Sequence, residues 1–161
     1  MGRWELFIDG VSNLKGLGVG IVLVSLEGLV VKQAVRLKFS ASNNETEYKA
    51  LMIGLRSARR LSANHLQVFC DSQLVGNQIL GEYQARDEMI STYMLVARSL
   101  LAKFESTHVA QIGKEHNSHA DILAKLATTL ESDMQRTICV ETLDWPSFQN
   151  QEMFSVFSIG N

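Results

Sequence analysis

Four acidic side chains stand where buried elements of this chain are predicted to begin or end: Asp9, Glu47, Asp71 and Asp121. Two of them each follow a short apolar run typical of a buried strand, and the other two lie in the first turns of two predicted helices. A carboxylate in such a place is costly unless a positive charge meets it. Several that converge from distant parts of the chain indicate a divalent-cation site, and therefore metal-assisted chemistry.

The N-terminal third is predicted to form three strands. Residues 4–8 alternate between polar and apolar side chains, residues 20–24 are a β-branched apolar run, and residues 29–37 resume the strand pattern. Residues 10–18 are rich in Gly, Ser and Asn and predict a turn region. Short connections of this kind predict an antiparallel meander.

The rest of the first 130 residues alternates between helices and strands. A capping-box pattern at residues 42–45, with Ser42 or Asn44 as N-cap, predicts a helix that ends near Leu61. After it come a strand at 66–70, helices at 72–80 and 87–104, a strand at 106–112, and a last helix capped by Asn117 or Ser118. The predicted order is β-β-β-α-β-α-α-β-α, an α/β domain with a mixed sheet.

Composition excludes several classes of protein. With 161 residues, 46% hydrophobic and 20% charged, the chain has enough apolar material for one packed domain. Two cysteines, without histidines at ligand spacing, favour neither a disulfide scaffold nor structural zinc. The sequence has no apolar run of about 18 residues and no signal-peptide layout at its N-terminus, so we expect an intracellular protein, cytoplasmic or nuclear, with no membrane partner.

Charge is unevenly distributed along the sequence. The formal net charge is −2, but the last 31 residues contain one Arg and five acidic residues. Residues 1–130 contain 14 basic and 12 acidic residues, and the four carboxylates described above are among the latter. Bound cations would neutralise those four, and the modestly basic surface that remains is compatible with phosphate binding.

At four places the sequence resembles the ordered motifs of ribonuclease H. They are Phe7-Ile8-Asp9-Gly10, Ser42-Asn43-Asn44-x-x-Glu47, Asp71-Ser72-Gln73-Leu74-Val75 and Asn117-x-x-Ala120-Asp121-x-Leu123-Ala124. The likeness is strongest to the ribonuclease H domain of gypsy-class retrotransposon polyproteins, especially those of plants. It covers roughly residues 4–130, so residues 1–131 are assigned to the domain and 132–161 to a C-terminal extension or linker. Part of that extension resembles the stretch that joins ribonuclease H to integrase, which implies a parent polyprotein with a reverse transcriptase or integrase.

The resemblance implies a fold and a mechanism. The fold is a five-stranded mixed sheet of order 3-2-1-4-5 flanked by helices, which brings Asp9 and Asp71 side by side. The activity is endonucleolytic hydrolysis of the RNA strand of RNA–DNA hybrids with two Mg²⁺ or Mn²⁺ ions. Asp9 would bridge both ions, Asp71 and Asp121 would hold the ion that activates water, and Glu47 the ion at the leaving group.

Substrate contacts are also implied by the resemblance. The amides of Asn43, Asn44 and Gln73 are expected to contact 2′-hydroxyls in the minor groove, although helix capping or surface exposure would also explain these residues. Gly10 and Ser12 are expected near the backbone of the substrate, or in a turn.

The sequence departs from the family pattern in one feature. Many members of the family carry a mobile histidine in the loop before the last aspartate. Neither His116 nor His119 occupies that position. His116 is the candidate auxiliary group, and His119 is interpreted as a helix-surface residue.

Two other functions remain open from the sequence. The missing histidine and the mild acidity are compatible with an inactive or domesticated module that binds nucleic acid or a protein. A DNA-cutting nuclease of the same fold is the third alternative, against which the amide side chains argue.

Overall fold

The computed structural model describes residues 2–37, 43–71, 88–129, 136–143 and 151–158. Its strands are β1 (Arg3–Asn13), β2 (Gly16–Ser25), β3 (Leu29–Leu37), β4 (His65–Cys70), β5 (Ser106–Gln111), β6 (Arg136–Leu143) and β7 (Gln151–Ser158). Its helices are α1 (Asn43–Arg60), α2 (Glu88–Leu101) and α3 (Ser118–Ala127), with a 3₁₀ turn at Lys114–His116 before α3.

The strands form one mixed sheet of order β5-β4-β1-β2-β3-β6-β7. The first five strands have the predicted order 3-2-1-4-5, which confirms the fold inferred from the sequence. Antiparallel pairing joins β1 to β2 and β2 to β3, whereas β4 pairs in parallel with β1 and with β5. The parallel pairing of β1 with β4 ends at Phe7 and Phe69, so β1 runs on beyond the end of β4.

The two faces of the sheet carry different helices. Leu6 and Ile8 of β1 pair with Leu23 and Ile21 of β2. The side chains of Leu6 and Ile8 pack against Gly54 of α1. This face holds most of the buried apolar core, and α2 packs on α1 beside it. The other face is covered by α3, which contacts β1, β2 and β3. Because side chains alternate along a strand, Asp9 projects to the α3 face, as does its partner Gly20.

Helix α3 lies unusually close to β2 because glycines face it. A methyl group on Gly20 would collide with the carbonyl oxygen of Ala120 and lie 2.6 Å from the nitrogen of Ala124. A methyl group on Gly18 would likewise collide with the carbonyl oxygen of Ala124. Backbone therefore packs on backbone here, and the height of α3 above the sheet is fixed without intervening side chains.

Three predictions about the elements need correction or fall outside the described residues. The turn predicted for residues 10–18 is wrong for most of its length, because β1 and β2 pair from Asn13 and Gly16 outward and only two residues join them. The segment 132–161, assigned to a C-terminal extension or linker, contains β6 and β7, which extend the sheet beyond β3. The helix predicted at 72–80 lies outside the described residues.

None of the helices among the described residues combines the length and the apolar character that crossing a membrane requires.

Candidate active site

The carboxylates that the sequence singled out are delivered by four separate elements. Asp9 lies within β1, Asp71 directly follows β4, Glu47 is in the opening of α1, and Asp121 is in the first turn of α3. Since β4 ends before β1 does, Asp71 comes to lie beside the part of β1 that carries Asp9. The parallel β1–β4 pair therefore accounts for the meeting of two residues far apart in sequence.

The structure brings the carboxylates together in one crevice. Asp9, Glu47 and Asp71 each offer one oxygen, and these three atoms all lie within 4.8 Å of one another. The carboxyl of Asp9 is also within hydrogen-bonding reach of Asp121, which stands at the rim with 24% of its side chain exposed. The fold thus brings three of the four predicted residues into one group, and Asp121 lies beside Asp9 at its edge.

Glu47 is held by the backbone of β1. The Gly10 N–H donates a hydrogen bond of 3.2 Å to Glu47 Oε1. A methyl group on Gly10 would lie 2.9 Å from backbone atoms of Thr46, so only glycine lets the opening of α1 come this close to β1. Gly10, which the sequence suggested as a substrate contact, therefore has a structural role in placing Glu47.

Burial and mutual repulsion dominate the electrostatics of the crevice. Asp9 is 4% exposed and Glu47 is 9% exposed. Burial first, and the charge of Asp71 second, raise the pKa of Asp9 to about 7. Burial first, and the charges of Asp9 and Asp71 next, raise the pKa of Glu47 to about 9. Without a cation, the crevice therefore retains protons near neutral pH.

Asp121 differs from its neighbours because a cation of the chain accompanies it. Lys125, one turn further along α3, places its Nζ 2.9 Å from Asp121 Oδ2. Partial burial raises the pKa of Asp121, but the Lys125 ammonium and the hydrogen bond shared with Asp9 outweigh it, so the pKa lies below its ordinary value. Asp121 thus stays ionised at the rim of the crevice.

Asn117 is a residue of this site whose role the sequence did not reveal. The sequence predicts Asn117 or Ser118 as the cap of α3; Asn117 occupies the N-cap position but makes no side-chain capping bond. Its Nδ2 instead donates to the Ile8 carbonyl at 2.8 Å and to Asp71 Oδ2 at 3.2 Å. The motif position alone could have pointed to Asn117, but capping explained that position equally well.

The donor set fits a hard divalent cation. It consists of carboxylate oxygens, the ligands that Mg²⁺ and Mn²⁺ prefer. Glu47 Oε2 is buried and receives no hydrogen bond from the described residues, which marks it as an atom that a cation could satisfy. A bound cation would offset the burial and the mutual repulsion that raise the pKa values of Asp9 and Glu47, because it favours their ionised forms.

The other predicted site residues are only partly described. Ser12 is exposed near the end of β1. Asn43 and Asn44 open α1, but their side chains and the whole of Gln73 lie outside the described part of the structure. The side chain of His116 is 74% exposed in the 3₁₀ turn, 3.8 Å from Glu115, so its auxiliary role stays a prediction.

The chain is similar to known proteins over most of its length. The model of a protein family described as Reverse transcriptase-like matches residues 7–127. Ribonuclease HI of Halobacterium salinarum is 33% identical over 128 residues, which are 78% of this chain and 64% of that protein. A bifunctional protein of Mycobacterium tuberculosis is 31% identical over 84 residues, 52% of this chain. The chain spans less than two thirds of both relatives, and only 23% of the mycobacterial one.

Solved structures show the same likeness. The crystal structure of RNase H1 from Halobacterium salinarum has a TM-score of 0.74 and 32% identity, covering 78% of this chain and 97% of that one. The N-terminal RNase H domain of the Mycobacterium tuberculosis protein has a TM-score of 0.70 and 28% identity, covering 80% and 94%. LC11-RNase H1, isolated from compost and crystallised with an RNA/DNA hybrid, has a TM-score of 0.69 and covers 78% and 96%; at 19% identity it shows the fold alone.

Proposed function

We propose a nuclease function for this chain, which belongs to the Reverse transcriptase-like family and contains an RNase H-like domain. Its reaction is endonucleolytic hydrolysis of the RNA strand of an RNA–DNA hybrid. The relative from Halobacterium salinarum, a ribonuclease HI, supports the reaction, and the resemblance of the four sequence motifs to ribonuclease H supports the substrate. The observation that carries the proposal is the crevice in which the oxygens of Asp9, Glu47 and Asp71 lie within 4.8 Å of one another.

Two divalent cations, Mg²⁺ or Mn²⁺, are the proposed cofactors, held by Asp9, Glu47, Asp71 and Asp121. When bound, such a pair supplies an activated water and neutralises the charge that develops on the leaving oxygen. Asp9 would help to hold both ions, since its carboxyl reaches both Glu47 and Asp121. Asp71 and Asp121 are assigned to the water side and Glu47 to the leaving-group side.

The remaining residues of the site orient this set. Gly10 fixes Glu47 through its N–H, and Lys125 pairs with Asp121 at the rim of the crevice. The burial of Asp9 and Glu47 excludes water from their carboxylates, which strengthens their interaction with a cation. His116 is retained as a candidate auxiliary group near the crevice.

Substrate recognition is assigned to the residues around the crevice. Gly10, Ser12, Asn43, Asn44 and Gln73 are the proposed contacts, with the three amides directed to 2′-hydroxyl groups. A hydroxyl that both donates and accepts is what distinguishes RNA from DNA in a shallow minor groove, and an amide side chain can meet it in either sense.

The biological setting is part of the proposal. An origin in a gypsy-class retrotransposon polyprotein, with a reverse transcriptase or an integrase as the tethered partner, is supported by the motif resemblance and by the description of the family. An intracellular site of action follows from the same setting.

Three labelled duplexes test the activity: an RNA–DNA hybrid, double-stranded RNA and double-stranded DNA, each with Mg²⁺, Mn²⁺ or EDTA. We expect cleavage of the RNA strand of the hybrid in either metal and none in EDTA. Asp71→Asn should abolish cleavage while the variant stays folded, because it removes a ligand and also relieves repulsion in the crevice. Glu105→Gln is the matched control, since Glu105 is exposed beside His65 at the opposite ends of the strands and should be dispensable.

The other outcomes assign the alternatives. A wild-type protein that binds the hybrid but leaves it intact in both metals is a binding module rather than an enzyme. Cleavage of double-stranded DNA in preference to the hybrid identifies a DNA nuclease of the same fold.

A further inference from the structure

Asn117 joins the segments that carry three of the four carboxylates. Its side-chain amide donates to the carbonyl of Ile8, next to Asp9, and to the carboxylate of Asp71. Its backbone carbonyl accepts a hydrogen bond of 3.1 Å from the N–H of Asp121. Asn117 is 1% exposed; its bond to Ile8 is buried and its bond to Asp71 is partly buried, so a misdirected polar group here is costly.

The orientation of the amide follows from its surroundings. Both atoms near Nδ2, the carbonyl oxygen of Ile8 and the carboxylate oxygen of Asp71, are acceptors. An amide turned by 180° would place its own oxygen against them, so only one orientation is compatible with the site. Ile8 directly follows the last residue of β1 that pairs with β4, and Asn117 thus satisfies a carbonyl at the point where this pairing stops.

We propose that Asn117 is a positioning residue, which fixes the orientation of the Asp71 carboxylate relative to β1 and α3. The inference rests on the proposed function of the crevice. A neutral amide suits this role, because it can orient a carboxylate without contributing a positive charge that would compete with a cation. Lys125, by contrast, pairs with Asp121 through a full charge at the rim.

A purely structural role is the competing explanation, in which Asn117 only ties α3 to β1. That role requires the bond to Ile8 but not the bond to Asp71. If the role is purely structural, variants of Asn117 lose stability but the folded protein keeps its metal affinity and turnover. If Asn117 positions Asp71, metal affinity and turnover fall as well.

Asn117→Ala and Asn117→Asp are the test variants. The first removes the donor, and the second keeps the size of the side chain but replaces the donor with an acceptor. Ser57→Ala is the matched control, because Ser57 is 6% exposed and donates a buried hydrogen bond of 2.7 Å to Gln33. Ser57 lies ten residues after Glu47 in α1, roughly 15 Å along the helix, and takes no part in the crevice.

Two readouts are needed, one of them without substrate. Mn²⁺ affinity is measured by calorimetry, and kcat and KM for hybrid cleavage are measured at saturating metal, both corrected for the folded fraction. We expect Asn117→Ala to lose about 10- to 100-fold in Mn²⁺ affinity, the usual effect of removing a group that orients a ligand. Asn117→Asp should lower kcat at least about tenfold with KM nearly unchanged, because an acceptor can no longer align Asp71.

The control separates the two explanations. Ser57→Ala should lower the melting temperature in EDTA, as Asn117→Ala does, but keep wild-type Mn²⁺ affinity and kcat. If the Asn117 variants keep both as well, or if the wild type binds no Mn²⁺, the proposal is overturned. A wild type that binds Mn²⁺ without cutting the hybrid refutes the nuclease function, whereas the affinity comparison still decides the role of Asn117.

Discussion

Replacing Glu47 with Gln should stabilise the metal-free protein, although it removes a proposed metal ligand. Burial and the neighbouring charges raise the pKa of Glu47 from 4.5 to about 9. At neutral pH the unfolded chain carries an ionised Glu47, whereas the folded chain must take up a proton there. Glutamine has nearly the shape of a protonated glutamate and avoids this uptake.

The size of the effect follows from proton linkage. A group whose pKa is raised on folding contributes its full stability below its unfolded pKa and loses it as the pH rises towards its folded pKa. For Glu47, the loss runs from pH 4.5 to about pH 9. At about 1.4 kcal/mol per pH unit, the wild type loses about 3 kcal/mol by pH 7. Since Asp9 shares the proton, we expect Glu47→Gln to gain about 2 kcal/mol at pH 7 and almost nothing at pH 4.

Urea unfolding in EDTA at pH 4, 7 and 9 measures this difference, with Glu105→Gln as a control that should show no such pH dependence. Adding Mg²⁺ should reverse the order at pH 7, because the wild type has one more charged ligand for the cation. A variant that is less stable than the wild type in EDTA at pH 7, or a difference that does not change with pH, would refute the reasoning.

Three more perturbations test separate features. Gly20→Ala should lower the free energy of unfolding in urea by about 2 kcal/mol or more, because the added methyl group pushes α3 away from β2. Gly113→Ala, whose methyl group would lie nearest to the flexible side chain of Glu115, should lower it much less. Equal losses would contradict the close packing. Lys125→Met should raise Mn²⁺ affinity at pH 7 by about two- to fivefold in calorimetry, because it removes an exposed ion pair that competes for Asp121; weaker binding would contradict this. Ending the chain at residue 131 should expose the β3 edge and cause concentration-dependent association in size-exclusion chromatography; a monomer at all concentrations would contradict it.

The carboxylates could be predicted because their signals are local, whereas the order of the first five strands was implied by the resemblance to ribonuclease H. Asp9 and Asp71 each follow an apolar run, and the parallel pairing of two such strands necessarily brings their ends together. Glu47 sits on the inward face of an amphipathic helix, where an acidic residue is unusual. Such features combine element type with position, and both can be inferred from one chain.

The missed features depend on contacts between distant segments. The residues next to Asn117 in the sequence do not indicate that its amide binds Ile8 and Asp71 instead of capping α3. The sequence predicts Gly10 to be part of a turn, whereas in the structure it allows the backbone of Thr46 to approach β1 closely. The pairing of β6 with β3 was not foreseen either, since an edge strand is defined by its partner as much as by its own pattern.

The glycine-mediated contact between α3 and β2 has a consequence for ionic size. Ca²⁺ takes oxygen ligands at about 2.3–2.6 Å, whereas Mg²⁺ needs about 2.0–2.1 Å. A ligand on a helix that cannot move away from the site therefore discriminates against the larger ion. Asp121 lies in α3, whose backbone packs directly on the backbone of β2. We therefore expect Asp121 to accommodate calcium poorly, with any adjustment left to Asp71, which follows its strand in a bend rather than in a regular element.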